Sequence, residues 1–325
     1  MSDVNSRLFA QAQKVTAVYR TIPTLKTVLL TGSVAHGYAD LHSDVDLVLL
    51  YEEWPSRAEL KSAYERLQGT RRWVKGRHQN KKLNRIREAY FVGDVRYDPK
   101  HSTVRPWERQ MLKVVGYRDS APLDLQAQAD TADILAGIPL YGPQLIQQWR
   151  VKAAKYPDEL ARAMVKSHLH FPPRWEIRTR MVERDDFLVL YDLFTLAEKN
   201  ILAVLLGLNR VYHPVTFRRI DRLVTKLPIA PNDLSVRLES ILRDDPHYAV
   251  EQLEGLIEET FALVASHMPD LDVRAEWDIY RRPRLPRHRD RQGVARVEQP
   301  KARRSREVLL QAVESFRGVL RAPLR

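Results

Sequence analysis

Between Thr31 and Leu47 the chain reads TGSVAHGYADLHSDVDL, a Gly-Ser pair followed after ten residues by two aspartates with one valine between them. Side chains alternate faces along a strand, so Asp44 and Asp46 share a face. Two carboxylates beside a Gly-Ser turn suit a divalent metal and phosphate, because hard Mg²⁺ takes oxygen ligands and shares them with the phosphates of a nucleotide. Gly32 lets the backbone approach an anion closely, and Ser33 can open a short helix whose free N–H groups face it. The plainer alternative is a surface turn followed by a strand with solvated acids. It fits less well, because the aspartates lie in the apolar run VDLVLLY, where unpaired charge is costly.

The elements that must position these residues follow from apolar periodicity. Leu8, Phe9, Ala12, Val15, Val18 and Tyr19 predict a helix over 5–20 with Asn5 or Ser6 as its cap. A strand over 26–31, a short helix near 34–37 and the carboxylate strand over 44–51 come next. Pro55 suits the first turn of a helix running to Leu67. The stretch AYFVGDVRYDP reads as a strand ended by Pro99. From Asp124 onward the pattern turns helical: 124–170, a long run over 185–208, and further helices over 217–227 and 248–266.

The first run resembles the signature of the nucleotidyltransferase (polymerase beta-like) superfamily, in which a hydrophobic residue, Gly, and Gly or Ser precede a spacer and then Asp, hydrophobic, Asp or Glu, hydrophobic. Gly32, Ser33, Asp44, Val45, Asp46 and Leu47 fill these places, with Thr31 where an aliphatic residue is usual. The segments ADILAGIPLYG, AKYPDEL and LLGLNRVYHP are similar to bacterial nucleotidyltransferases with a helical C-terminal half, including the DUF4037 group and, more distantly, antibiotic nucleotidyltransferases. The resemblance implies an α+β fold: a small mixed sheet with flanking helices, followed by an α-helical bundle. The expected division is a nucleotidyltransferase domain over 1–120, a helical domain over 121–280, a basic flexible linker over 281–306 and an amphipathic helix over 307–325.

It also implies a third carboxylate. Asp94, in GDVRY, best fits the hydrophobic, acid, hydrophobic pattern and is favoured; Asp98, four residues on and pointing to the same side, is its competitor. The implied reaction transfers a nucleoside monophosphate from a nucleoside triphosphate, with ATP the expected donor, to an acceptor hydroxyl with release of pyrophosphate. Asp44, Asp46 and Asp94 are the expected ligands of two Mg²⁺ ions, and Gly32 and Ser33 the expected holders of the β- and γ-phosphates. Ser43 is assigned to the loop backbone or a phosphate. Lys199 and Arg210 are expected to reach the triphosphate across the cleft. The acceptor is a small hydroxylated molecule, RNA or protein, and a nonenzymatic nucleotide-binding protein on the same scaffold is the alternative of another class. His36, Tyr38 and Tyr212 are weaker candidates for phosphate or base contact. The Arg162 to His168 spacing resembles the Arg-His pair of HEPN ribonucleases but lacks the polar residue usual after that arginine.

At 325 residues and 44% hydrophobic content the chain affords about two domains with a sizeable core. It has no cysteine, which excludes disulfide scaffolds and thiolate metal sites. Its start lacks the features of a secretion signal, and its longest apolar stretch contains Asp192, Glu198 and Lys199, so a cytoplasmic protein without membrane contact is expected. The net charge of +12 is concentrated: residues 71–87 carry eight Lys or Arg and no acid, and residues 281–306 carry eleven against two acids. Such segments are footprints for polyanions such as RNA, although a charge run is usually a solvated face or tail.

Overall fold

The computed structural model describes residues 3–75, 85–118, 121–184 and 186–283. The expected C-terminal helix, most of the basic linker and the centre of the 71–87 segment lie outside the described residues. The fold is α+β, a mixed six-stranded sheet with flanking helices followed by a helical region. The N-terminal part runs α1 (Asp3–Tyr19), β1 (Leu25–Thr31), α2 (Gly32–Ala35), β2 (Val45–Tyr51), α3 (Arg57–Arg66), β3 (Thr70–Lys75), β4 (Arg85–Val92), β5 (Val95–Thr103) and α4 (Val104–Val115). After it come α5 (Leu125–Ala136), β6 (Ile138–Tyr141), α6 (Pro143–Ala153), α7 (Asp158–His168) and α8 (Arg174–Glu176), which runs into a π-helical stretch at Ile177–Val182. The remainder is α9 (Phe187–Leu208), α10 (Ile220–Val224), α11 (Leu234–Arg243), α12 (Pro246–His267) and α13 (Arg274–Arg281).

The sheet order is β3-β4-β5-β2-β1-β6, with β2 and β5 parallel and the other pairs antiparallel. The apolar run of β2 makes it a central strand, buried on both faces except at Asp46. On one face Val45, Leu47, Leu49 and Tyr51 pack with Tyr90 and Tyr97 against Leu8, Ala12 and Val15 of α1 and Leu60 and Ala63 of α3. On the other, Leu29, Val48 and Leu50 lie under Trp107, Met111, Ile134, Ile146 and Trp149 of α4, α5 and α6. Asp46 belongs to this second face. The helical region has its own core, where α9 packs with α7, α11 and α12 around Phe194, Ile201, Leu205, Leu253 and Phe261.

Four local expectations change. Ser56, not Pro55, opens α3: its Oγ accepts from the Glu59 N–H at 3.2 Å while its own N–H donates to Glu59 Oε2 at 2.7 Å, a reciprocal capping box that fixes the helix start. The single strand read across AYFVGDVRYDP is a hairpin that turns at Gly93–Asp94, since Val92 pairs with Val95. Pro99 does not end its strand; β5 continues to Thr103, because the fixed φ of proline fits extended backbone and only a donor is lost. Residues Ile138–Tyr141, read as part of a helical stretch, pair with β1 at the sheet edge.

Candidate functional site

Strand β1 delivers Thr31 to the end of the sheet, and the chain turns at once into the single helical turn α2. Gly32 permits this in two ways. Its φ of +66° lies in the left-handed region, and the Asp46 carboxylate occupies the space where a Cβ would stand. The Gly-Ser turn is thus seated on Asp46, with Ser33 beside it on the first turn of α2. The loop that follows is tied down at both ends. Asn5 of α1 accepts from the Ala39 N–H at 3.2 Å. Asp40 accepts from the His42 N–H and the Ser43 hydroxyl, both at 3.0 Å, and its own N–H donates to Ser43 Oγ at 2.9 Å. Ser43 therefore serves the loop backbone, the first of its two expected roles.

The third carboxylate at the pair is Asp98. It stands beside Asp46 across the parallel β2–β5 ladder, and paired residues share a face. Asp94 is not brought to the pair. It sits on the hairpin turn with its side chain 75% exposed and 3.5 Å from Arg7. The pattern around it is the sequence of a turn, so local alternation gives it no place on the carboxylate face.

Crowding sets the electrostatics. Burial, reinforced by Asp44, Asp133 and Asp98 and opposed by Lys100, raises the Asp46 carboxyl from the ordinary 3.8 to about 6. Burial also raises Asp98, to which Asp44 adds through a shared hydrogen bond and against which Arg96 acts. Arg96 grips Asp98 with both ends of its guanidinium, Nε to Oδ1 at 3.0 Å and Nη2 to Oδ2 at 2.9 Å. Lys100, one pleat along β5, is held 3.7 Å from Asp133 of α5.

Three oxygen-donor acids, two of them reluctant to ionise in one another's company, fit a hard divalent cation. Among the described residues no three His, Asp or Glu side chains already form a cage for an ion.

Neither Lys199 nor Arg210 makes a recorded contact with the carboxylates among the described residues. Lys199 is exposed on α9, whose next residue, Asn200, donates to the His170 carbonyl at 3.0 Å. Arg210 binds Asp158 at the start of α7, at 2.7 and 3.0 Å. The segment around α10 reaches the Gly-Ser loop instead. Arg219 Nη2 donates to Asp40 Oδ2 at 2.6 Å, and its guanidinium lies 6.0 Å from the centre of the Tyr38 ring. The His36 and Tyr38 rings stack at 5.5 Å with 2° between their planes. Burial, then Lys226, lowers His36, while burial raises Tyr38 against Arg219 and Arg222. Arg219, Arg222 and Lys226 thus gather beside the loop that also carries Asp44. Their signal in the sequence is a helical spacing of three and four residues.

Other candidates fall to structural roles. Tyr212 is buried, donates to the Ala153 carbonyl at 2.9 Å and packs on Tyr156. Arg162 is paired with Asp270, while His168 bonds the Met164 carbonyl at 2.9 Å, so neither supports a shared ribonuclease site.

Comparison with known proteins names the class. Residues 16–104, spanning the Gly-Ser turn and all three acids, match the nucleotidyltransferase domain family. The chain's type is narrower than that. Residues 130–217 match the domain of unknown function DUF4037, which gives the two-part arrangement of a nucleotidyltransferase domain followed by a DUF4037 region. A nucleotidyltransferase-like protein from Exiguobacterium sibiricum 255-15 is among the solved structures that match, at 12% identity over 79% of this chain and 78% of that one, with a TM-score of 0.32. No match was found among curated proteins. No helix of the described residues is long and apolar enough to cross a membrane.

Proposed function

We propose that the protein transfers a nucleoside monophosphate from a nucleoside triphosphate to an acceptor hydroxyl. What carries the reading is the convergence of Asp44, Asp46 and Asp98 against Gly32, with Arg219, Arg222 and Lys226 beside the same loop. Donor chemistry is assigned to residues 1–120 and cationic support to the helical half within 121–280. The acceptor oxygen bonds to the α-phosphorus, the bond from that phosphorus to the bridging oxygen breaks, and pyrophosphate leaves. Asp44, Asp46 and Asp98 would hold Mg²⁺, two ions in the full site, which when bound supplies Lewis-acid stabilisation of the phosphoryl oxygens. Asp98, whose proton affinity is raised, accepts the proton of the hydroxyl directly or through water. Ser33 and the N–H groups of the α2 turn contact the phosphates. Arg222 and Lys226 neutralise the triphosphate, as guanidinium and ammonium groups do.

The test is transfer of label from α-³²P nucleoside triphosphates, ATP first, in the presence of Mg²⁺ and cell extract. Asp98→Ala is expected to lower label transfer at least 100-fold and Asp94→Ala to leave it within about twofold, since loss of a transition-state electrostatic partner costs about that much. The reverse ranking overturns the assignment. Arg222→Ala and Lys226→Ala together are expected to raise KM for the triphosphate about tenfold with a smaller effect on kcat. An unchanged KM removes these residues from the donor site.

A further inference from the structure

Beyond the site, the carboxylate-bearing face of the sheet continues outward and, among the described residues, is left open. Ladder partners share a face, and the register from Asp46 to Asp98 continues to Ala89 on β4 and Trp73 on β3. The neighbouring row on that face carries Phe91 opposite Arg96. Helices α4 and α5 cover the face only as far as Arg85, which lies 4.6 Å from the Trp107 ring centre, and Arg87, which reaches Gln126 at 3.4 Å. Past that line Trp73 is 53% exposed on the edge strand. Its neighbour Arg72 points the other way, to Glu88 at 2.7 Å and over Tyr64. Arg71 lies over the Phe91 ring at 5.7 Å, and Arg71, Arg87 and Arg96 are all exposed.

Trp73 is thus an exposed ring among arginines, with the half-buried Phe91 beneath Arg71 beside it. Flat aromatic rings flanked by cations are how a sheet holds unstacked bases and their phosphates. We infer that this face, with Trp73 as the stacking platform, Arg71 seated on Phe91 beside it, and Arg71 and Arg87 as phosphate partners, binds a single-stranded polynucleotide whose terminal hydroxyl is the acceptor. The inference rests on the transferase reading for the chemistry and on the sheet face for the binding. Adjacent strands are about 4.8 Å apart, which puts Trp73 about 10 Å from Asp98, roughly three stacked nucleotides at about 3.4 Å each. That span is short enough for a strand stacked on Trp73 to place its end at the carboxylates. Charge complementarity favours a polyanion over a protein acceptor, and the flat open face favours a single strand over a duplex.

The test is fluorescence anisotropy of labelled 12-mers with the full chain, in arms of single-stranded RNA, single-stranded DNA and duplex. Single strands of either sugar are expected to bind with a steep salt dependence, and the preferred sugar identifies the source of the strand. Trp73→Ala and Phe91→Ala are each expected to weaken single-strand binding about tenfold, and Trp73→Phe to restore most of it. Melting temperature and binding of triphosphate are expected to stay at their wild-type values in these variants. Equal binding by the Trp73→Ala/Phe91→Ala protein, tighter binding of duplex, or label arriving on protein instead of the polynucleotide overturns the inference. A wild type that binds strands through these two residues yet releases no pyrophosphate supports the surface and removes the transferase reading, so the two fail separately.

Discussion

Asp46→Asn is expected to slow nucleotide transfer by about three orders of magnitude while making the ion-free protein more stable at neutral pH. The loss of rate follows from removing the acid on which the Gly-Ser turn is seated, at the centre of the charge that stabilises the transferring phosphoryl group. The gain in stability follows from its proton affinity. The folded state raises this carboxyl from 3.8 to about 6, so it holds the proton more tightly than the unfolded chain. Its contribution to stability is fully present below about pH 4 and is lost as pH rises through about 6. By pH 7 the buried charge costs the ion-free protein up to about 3 kcal/mol. Asparagine keeps the shape and removes the charge. Melting curves in EDTA are expected to show the variant several degrees above wild type at pH 7 and level with it at pH 4. Added Mg²⁺ is expected to raise wild type more than the variant. A variant that melts below wild type at pH 7 in EDTA sinks the account of a strained carboxylate.

Gly32→Ala is expected to be nearly as damaging, although it adds a single methyl group. Its φ of +66° makes any L side chain unfavourable by about 1 kcal/mol or more. The greater effect is steric, since the new carbon would run into Asp46 Oδ2 and stand 3.1 Å from its Cγ. Asp46 is part of a packed central strand and cannot retreat, so its carboxylate must swing away from Asp44 and Asp98. Transfer is expected to fall at least 100-fold with weaker binding of Mn²⁺ by titration calorimetry. Gly37 supplies the control. It has a similar φ of +77°, but a Cβ there would meet nothing within 4 Å. Gly37→Ala should therefore show the backbone cost alone, with transfer reduced severalfold at most. Equal losses in the two variants would assign the effect to backbone strain instead of collision.

The placement of the Gly-Ser turn beside the paired aspartates was legible because its signals are local. Gly32, Ser33, Asp44 and Asp46 follow from a turn and a strand of period two, and the structure seats them together. Asp94, the favoured third acid, lies away from the pair for a physical reason. Asp94 and Asp98 fall in one stretch of strand-forming residues, and only recognition of Gly93–Asp94 as a two-residue hairpin turn removes the first and leaves the second on the strand. That signal was present, since Gly-Asp between apolar alternations is turn chemistry. The cations were a different matter. Helical periodicity shows that Lys199 and Arg210 are near a helix end or on a face, but not which face looks toward residue 40. The contact that brings Arg219 to Asp40 is tertiary, and no feature of either segment announces the other. Likewise Ile138–Tyr141 is too short to be read as a strand without β1 beside it.

The pairing of Arg219 with Asp40 joins residues 179 positions apart. At the usual pace of synthesis, about 5–20 residues per second, roughly 10 to 35 seconds pass between the emergence of one and of the other. Throughout that interval the acidic half of the site exists without its cationic half. A nascent chain therefore carries the acids long before it has the residues assigned to the triphosphate. A chain that stops before residue 219 lacks the arginine that tethers the α10 segment to Asp40.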